Sequence, residues 1–373
     1  MSRKNKISYT LFGLILIFIL IALPTGYEDA LIYKDTPRAI AQVMDTDNSM
    51  IISTGLIQSG EQECTLKICT GSQKGKIITG VNFLTGSLEN DKIFQAGDYV
   101  YARMSIQGNE VTYCVISDHF RLGKELILIA VFCAALILIA GWKGLHAIFS
   151  FLITVLSLWK LLIPAYLKGY SPAFVGLAVV TIITFVIIFF VYGKDIRTII
   201  ASAGSMLGIL LTCILGMLFT DLFKIHGAIM PNSESLLYSG YETLNLTAIF
   251  MSSIFIGASG AMMDISVDIT SAVYEICEKK PDISRSEAIK SGFHVGKAAM
   301  GTMTTTLLLA YTGSNITSIM VYMAQGTPID HILNYKYVAA ELIDTIVGSF
   351  GLVMVAPFTA IVAGIMLTKR KNQ

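Results

Sequence analysis

Eight long apolar runs dominate this chain and exclude a soluble fold. They cover residues 7–23, 126–142, 147–166, 172–192, 198–220, 244–263, 298–324 and 338–367. A helix of about 20 apolar residues is long enough to cross the hydrocarbon core of a bilayer. The composition agrees, because only 14% of the residues are charged, whereas soluble domains carry about 25%. We therefore predict a membrane all-α bundle of about eight transmembrane helices.

Residues 1–25 are predicted to form the first of these spans. The basic residues Arg3, Lys4 and Lys6 precede the apolar run 7–23, a pattern typical of a signal anchor. A cleaved signal peptide is the alternative, because the run is short and Ala22 is small. We favour the anchor, since its removal would leave an odd number of spans.

Residues 26–120 have a different pattern from the rest of the chain. Short runs rich in β-branched residues predict strands at 40–44, 50–54, 65–69, 77–83, 99–106 and 111–116. Gln107-Gly108-Asn109 predicts a hairpin between the last two strands. We expect a small OB-like β-barrel of five or six strands, inserted between the first and second spans. It has no basic stripe or series of stacking aromatics, so no nucleic-acid partner is expected.

The six cysteines give no evidence of a metal or redox centre. Cys64, Cys69 and Cys114 share the β domain, and their spacing matches neither a zinc site nor a redox motif. We expect three free thiols, with a disulfide among them as the alternative. No metal and no cofactor are predicted.

Basic residues in the short loops predict the orientation in the membrane. If the N-terminus is inside, the inner segments hold most of the basic residues, and the short outer loops hold only Lys168, Lys224 and Lys336. Cytoplasmic loops carry such an excess. We therefore expect both termini in the cytoplasm, the β domain outside, and a transmembrane domain over residues 121–373 with a cytoplasmic loop at 265–297.

The last three apolar segments contain polar side chains. On insertion scales a carboxylate at the bilayer centre costs about 2.5–3.5 kcal/mol, so an acid at that depth usually has a partner or a task. We expect Thr302, Thr304 and Thr305 to lie near Asp264 at the inner side of the membrane. We expect Glu341 and Asp344 to lie near the outer surface. The alternative for the acids is that they mark helix ends that leave the membrane and become polar. The alternative for the hydroxyls is that they bond to the backbone. The candidate pathway residues are Asp264, Asp268, Thr302, Thr304, Thr305, Asn315, Glu341 and Asp344.

Small residues and a long segment complete the pattern in this region. Segment 298–324 is long for one span, and Gly313-Ser-Asn315 can break it, although we favour one tilted helix. Glycines in spans allow helices to pack closely. The predicted packing glycines are Gly257, Gly260, Gly301, Gly348 and Gly351.

Two function classes follow from these features. The first is a transporter or channel for a small solute or ion that uses the polar groups of the last three spans. The second is a non-transporting scaffold or sensor whose outer barrel binds a partner or an envelope component. Motifs for nucleotide binding, serine hydrolysis and zinc proteolysis are missing from the sequence, so no enzyme is predicted. The expected partners are the lipid bilayer and a second copy or a related membrane protein.

Three blocks of this sequence resemble the YibE/F-like family of bacterial multi-span membrane proteins. They are Gly257-Ala-Ser-Gly-Ala-Met-Met-Asp264, residues 296–311, and residues 341–357 with Gly348-Ser-Phe-Gly-Leu-Val-Met354. The resemblance covers roughly residues 125–367. It implies a bacterial plasma membrane and an outer domain before the spans, but no settled activity, substrate or catalytic residue. Thr305 stands where an Asn is expected in many members.

Overall fold

The computed structural model describes residues 3–29, 36–108 and 110–369. The chain forms two compact units, one of Glu28–Ala135 and one of Met1–Tyr27 with Leu136–Gln373. The strands are β1 (Arg38–Asp47), β2 (Ile51–Thr54), β3 (Ile57–Ile68), β4 (Ile77–Thr85), β5 (Tyr99–Gln107) and β6 (Glu110–His119). The helices are α1 (Arg3–Ala22), α2 (Leu122–Ala140), α3 (Trp142–Ser157), α4 (Ile163–Leu167), α5 (Pro172–Tyr192), α6 (Ile196–Leu222), α7 (Ser233–Tyr238), α8 (Leu246–Lys279), α9 (Arg285–Ser314), α10 (Ile316–Ala324), α11 (Ile329–Asn334) and α12 (Lys336–Lys369).

Five of the strands close into a barrel, which confirms the predicted fold of this unit. The ring runs β1-β5-β6-β4-β3 and returns to β1, while β2 pairs with β3 alone. The contact between β4 and β6 is parallel at Val81 and Val115, and the other pairs are antiparallel. This is the OB-like arrangement. Strand β3 begins well before the predicted 65–69, and Asn109 of the predicted hairpin turn lies outside the described residues.

The loop between β4 and β5 contributes a side chain to the core of the barrel. Phe94 of this loop is only 1% exposed. The buried Gln62 fixes it like a neighbouring strand, since Gln62 Nε2 donates to Phe94 O at 2.8 Å and Phe94 N donates to Gln62 Oε1 at 3.0 Å. Asn82 Nδ2 donates to Gln62 Oε1 at 3.2 Å and to Lys92 O at 2.7 Å. Every one of these buried amide groups therefore has a partner, as burial requires.

Cys64, Cys69 and Cys114 of the barrel are free thiols, as expected. Cys64 and Cys114 are buried in the barrel core and lie on either side of Gly80. Burial raises the pKa of both thiols to about 11. A thiol with this pKa stays protonated at neutral pH and reacts slowly.

The helices of the second unit are long and apolar enough for a membrane protein. Within the described residues, six helices pass this test, and a seventh span results if the bent pair Arg285–Ser314 and Ile316–Ala324 is counted as one. The apolar part of α1, Ile7–Ala22, is shorter. Helix α2 buries none of its residues. The predicted barrel followed by apolar helices is thus confirmed.

Two expectations for the last third of the chain differ from the structure. The single tilted helix favoured for 298–324 is wrong, because α9 ends at Ser314 and α10 starts after a bend of 62°. The predicted loop at 265–297 is mostly helical. Helix α8 continues to Lys279 because Ile265, Ile269 and Val273 recur at helical spacing and are completely buried. Only the short connection before Arg285 remains, and a capping box at Ser284 and Glu287 starts α9 there.

The core of the helical unit lies between α6, α8, α9 and α12. Its fully buried members include Ile209, Phe255, Met262 and Leu352. The hydroxyls of Ser266 and Thr359 join α8 to α12 at 2.9 Å inside this core. A hydrogen bond between two buried hydroxyls removes the penalty that each would have alone.

Helix α1 packs onto the same unit as an integral helix. Gly13 leaves space for Phe149 of α3, whose ring would be 2.8 Å from an added Cβ. Tyr9 Oη accepts a hydrogen bond from Lys194 N at 3.1 Å, and Leu20 is 4% exposed. Lys160, in a π-helical turn over Leu158–Leu162, donates to Leu23 O at 3.0 Å. The last of these contacts satisfies a carbonyl at the C-terminal end of α1.

Candidate functional site

A cavity of about 930 Å³ opens between the start of α12, the bend after α9 and the segment before α8. Residues from parts of the chain that are far apart in sequence line it together. Its polar walls combine carboxylates, two amides and hydroxyls, and no Lys, Arg or His lines it in the described part of the chain. The lining includes Glu234, Ser253, Ser314, Asn315, Ser318, Tyr322, Tyr337, Glu341 and Asp344.

Glu341 and Asp344 form the acidic wall of this cavity. They are three residues apart on α12 and therefore share one face of the helix. Glu341 Oε1 and Asp344 Oδ1 are inaccessible to solvent and have no hydrogen-bond partner among the described residues. The side chain of Asn315 interacts with the Glu341 carboxyl. Buried carboxylate oxygens without a partner are costly, so this pair favours a proton or a cation in the cavity.

The bend at Asn315 brings α9 and α10 to these acids. Asn315 Nδ2 donates to Tyr311 O at 3.2 Å and to Ser314 Oγ at 3.2 Å, and Ser314 Oγ also donates to Tyr311 O at 2.7 Å. Side chains thus satisfy backbone groups that the break in the helix sets free. Broken helices at membrane depth occur where they line protein or a water-filled cavity.

Asp264 and Asp268 lie elsewhere, on an exposed stripe of α8. The stripe consists of Ser253, Gly257, Gly260, Asp264 and Asp268, which recur three or four residues apart and are all exposed. Its first member, Ser253, also lines the cavity, whereas the two aspartates do not. The structure therefore joins Asn315, Glu341 and Asp344 in one place and leaves Asp264 and Asp268 about three and four turns beyond Ser253 along α8.

The three candidate threonines of α9 differ in their exposure. Thr304 is partly buried, whereas Thr302 and Thr305 are exposed. Thr302 Oγ1 donates to Ala299 O at 3.0 Å, and Thr305 Oγ1 donates to Gly301 O at 2.9 Å. Within the described residues no hydrogen bond joins them to Asp264. The hydroxyls of Thr302 and Thr305 thus bond to their own helix, as the structural alternative predicts.

The five candidate packing glycines fall into three groups. A Cβ at Gly351 would overlap Thr212 Oγ1, and one at Gly348 would lie 3.2 Å from Ala258 Cβ, so both sit where helices approach closely. A Cβ at Gly260 or Gly301 would have no neighbour within 4 Å. Gly257 is exposed, but an added Cβ would lie 3.0 Å from Tyr311 Oη.

Sequence reasoning missed several residues that hold this unit together. Gly204, Gly208 and Gly296 also allow close approach to α12, since an added Cβ would overlap or press on Thr359, Val355 and Ala356 respectively. Glycine spacing was the available signal. Unlike the last three apolar segments, α6 has no charged residue in its apolar centre.

An arginine site at the end of α5 was also missed. The Arg197 guanidinium lies over the rings of Tyr192 and Tyr274, at 4.9 and 4.4 Å from their centroids. It also pairs with Asp195 at 2.9 Å. Tyr192 Oη lies 2.6 Å from Ser271 Oγ on α8. Tyr192 and Asp195 lie within five residues of Arg197, but Tyr274 and Ser271 come from α8, so the local sequence does not indicate the complete cluster.

Within the described residues no group of three or more His, Cys, Asp or Glu side chains is arranged to hold a metal ion.

Comparison with known proteins then gives one match. The family model for YibE/F-like protein matches residues 128–369. No curated protein and no solved structure matches the chain significantly. The matched region contains the cavity, the bend and the exposed stripe of α8, and the chain belongs to the YibE/F-like proteins.

Proposed function

We propose that this membrane protein is a transporter or channel for a small cation or a proton. The observation that carries the proposal is the cavity with the unpartnered carboxylate oxygens of Glu341 and Asp344. Its lining holds three acids and no base within the described residues, so its field attracts cations and repels anions. Carboxylate, amide and hydroxyl oxygens are suitable ligands for hard cations and suitable relays for protons.

The rest of the path follows the exposed stripe of α8. Ser253 belongs both to the cavity lining and to the stripe, and Gly257, Gly260, Asp264 and Asp268 continue it turn by turn. The small residues leave room beside the helix, and the two aspartates provide charge at the far end. Thr304, partly buried on α9, is a candidate member of the opposite wall, while Thr302 and Thr305 serve their own helix.

The proposal includes an orientation in the bacterial plasma membrane. We infer eight spans, formed by α1, α2, α3 with its continuation, α5, α6, α8, the pair α9 and α10, and α12. An even number of spans agrees with the distribution of Lys and Arg, and it would leave both termini in the cytoplasm and the barrel outside. Glu341 and Asp344 would then lie toward the outer surface and Asp268 toward the inner one. No enzymatic step, cofactor or nucleic acid enters the proposal.

Flux into liposomes tests the proposal. Purified protein is reconstituted, proton movement is followed with pyranine, and monovalent-cation movement is followed with thallium and a thallium-sensitive dye. We expect the double variant Glu341→Gln/Asp344→Asn to abolish the flux, because the amides keep the size and lose the charge. We expect Asp264→Asn to lower it. Asp282→Asn, an exposed acid in the connection before α9, is the matched control. Liposomes with protein that are no leakier than empty ones would reject the proposal, and so would full flux in the double variant.

The alternative function, a scaffold or sensor, is favoured by one feature of the barrel. Four large apolar side chains at one end are strongly exposed, namely Met50 (70%), Ile52 (65%), Leu56 (84%) and Leu88 (71%). Leu56 and Leu88 also line a groove of about 190 Å³. Exposed apolar patches often mark contact sites for other molecules. If this function is correct, the double variant Leu56→Glu/Leu88→Glu fails to rescue the phenotype of cells that lack the protein. The double variant Glu341→Gln/Asp344→Asn rescues that phenotype fully.

A further inference from the structure

Tyr311 occupies a special position in the helical unit. It lies on α9 one turn before the bend, and it is partly buried. Its carbonyl accepts hydrogen bonds from Ser314 Oγ at 2.7 Å and from Asn315 Nδ2 at 3.2 Å. The side chains at the bend are therefore hydrogen-bonded to the backbone of Tyr311.

The hydroxyl of Tyr311 points to the stripe on α8. An added Cβ at Gly257 would lie 3.0 Å from Tyr311 Oη, a distance at which the two groups press on each other. Glycine is therefore the residue that leaves room for the phenol here. One turn earlier on α8, Ser253 lines the cavity. One turn later, a Cβ added at Gly260 would have no neighbouring atom within 4 Å.

The same side chain interacts with the acidic wall of the cavity. Both Asp344 and Glu341 on α12 lie close enough to Tyr311 to act on it electrostatically. Tyr311 thus extends from α9 toward α8 and α12 and lies beside Gly257, the first member of the stripe beyond the cavity. Tyr311 is not among the described residues of α9 that pack against the main helical core.

We propose that Tyr311 is the constriction that decides the size of what passes from the cavity to the stripe. This inference rests on the proposed function. The ring blocks the passage beside Gly257 for a hydrated cation, while the hydroxyl can accept and donate hydrogen bonds to a proton carrier or a small dehydrated ion. Removing the ring opens the passage, whereas removing only the hydroxyl leaves the obstruction in place.

Cysteine accessibility tests the constriction without knowledge of the substrate. Cys69 and Cys133, the partly exposed thiols, are first replaced by Ser, since the other four are buried. Gly260→Cys then reports on the stripe and Ser314→Cys on the cavity, each treated from outside with a membrane-impermeant cationic methanethiosulfonate. We expect Cys at 314 to react in all backgrounds. Cys at 260 is expected to react about tenfold faster with Tyr311→Ala than with Tyr311 or Tyr311→Phe, the equivalent of about 1.4 kcal/mol in the barrier.

Equal labelling at 260 with and without the ring would overturn the proposal. A second comparison tests the contact itself and does not depend on Tyr311→Ala folding well. We expect Gly257→Ala to lower the thermal midpoint of the purified protein when Tyr311 is present and not when Tyr311→Phe removes the oxygen. The same shift in both backgrounds would also reject the inference.

Flux and labelling separate this inference from the proposed function. Absent flux with the expected labelling pattern rejects transport and keeps Tyr311 as the obstruction. Present flux with unchanged labelling keeps transport and rejects the constriction.

Discussion

Replacing Gly351 by Ala tests whether close helix contact, and not glycine content as such, stabilises the helical unit. An added methyl group would overlap Thr212 Oγ1 and press on Met262 Cε. Thr212 is completely buried, and its hydroxyl donates to Gly208 O at 3.0 Å, so it cannot easily turn away. Gly260 offers a matched control on α8, because its added methyl group meets nothing within 4 Å.

The expected magnitudes follow from two opposing effects. Overpacking a core costs about 1–3 kcal/mol, while replacing Gly by Ala inside a helix favours the helix by about 0.8–1.0 kcal/mol. Gly351→Ala should therefore destabilise the protein by up to about 2 kcal/mol. Gly260→Ala should stabilise it by up to about 1 kcal/mol. The difference between the two variants removes the propensity effect and measures the steric cost alone, at about 1–3 kcal/mol.

Reversible unfolding of the purified protein in mixed detergent and SDS micelles measures these free energies. A double-mutant cycle with Thr212→Ala identifies the obstructing atom. The double variant Gly351→Ala/Thr212→Ala should be more stable than the sum of the two single-variant effects predicts. The expected coupling free energy is about 0.5–3 kcal/mol. Equal effects of Gly351→Ala and Gly260→Ala, or a cycle with no coupling, would refute the packing argument.

Three further predictions concern the barrel and the orientation. At about pH 8 a charged thiol reagent should modify Cys69 quickly and the buried Cys64 and Cys114 slowly, because burial raises the pKa of the latter two to about 11 and keeps them protonated; equal rates for all three would contradict this. Phe94→Ala should destabilise the barrel by about 3–5 kcal/mol and speed up hydrogen exchange in its loop, whereas Leu88→Ala on the surface should change the stability by less than about 0.5 kcal/mol. In intact cells, an impermeant reagent should label Ser87→Cys and spare Ser286→Cys, and the reverse pattern would exclude the proposed topology.

The sequence alone determined the class of the protein and the kinds of elements. Apolar runs about as long as a bilayer is thick predict membrane helices irrespective of how they pack. Short runs rich in β-branched residues, bounded by turn residues, likewise predict strands from local chemistry. The acids of the last three segments were recognisable because charge in an apolar run is rare.

Only the tertiary structure decided which of these residues act together. Gly260 and Gly351 are both glycines in apolar helices, yet only Gly351 is pressed by a neighbouring helix. Glu341 interacts with Asn315 at the 62° bend between α9 and α10, and Asp344 lines the same cavity. Tyr311 reaches Gly257 of α8 from the last turns of α9. The barrel closes on the loop at Phe94 through buried amides of β3 and β4 that carry no local signal. Such contacts join segments far apart in sequence, and their distances depend on packing of the whole unit, which no local periodicity records.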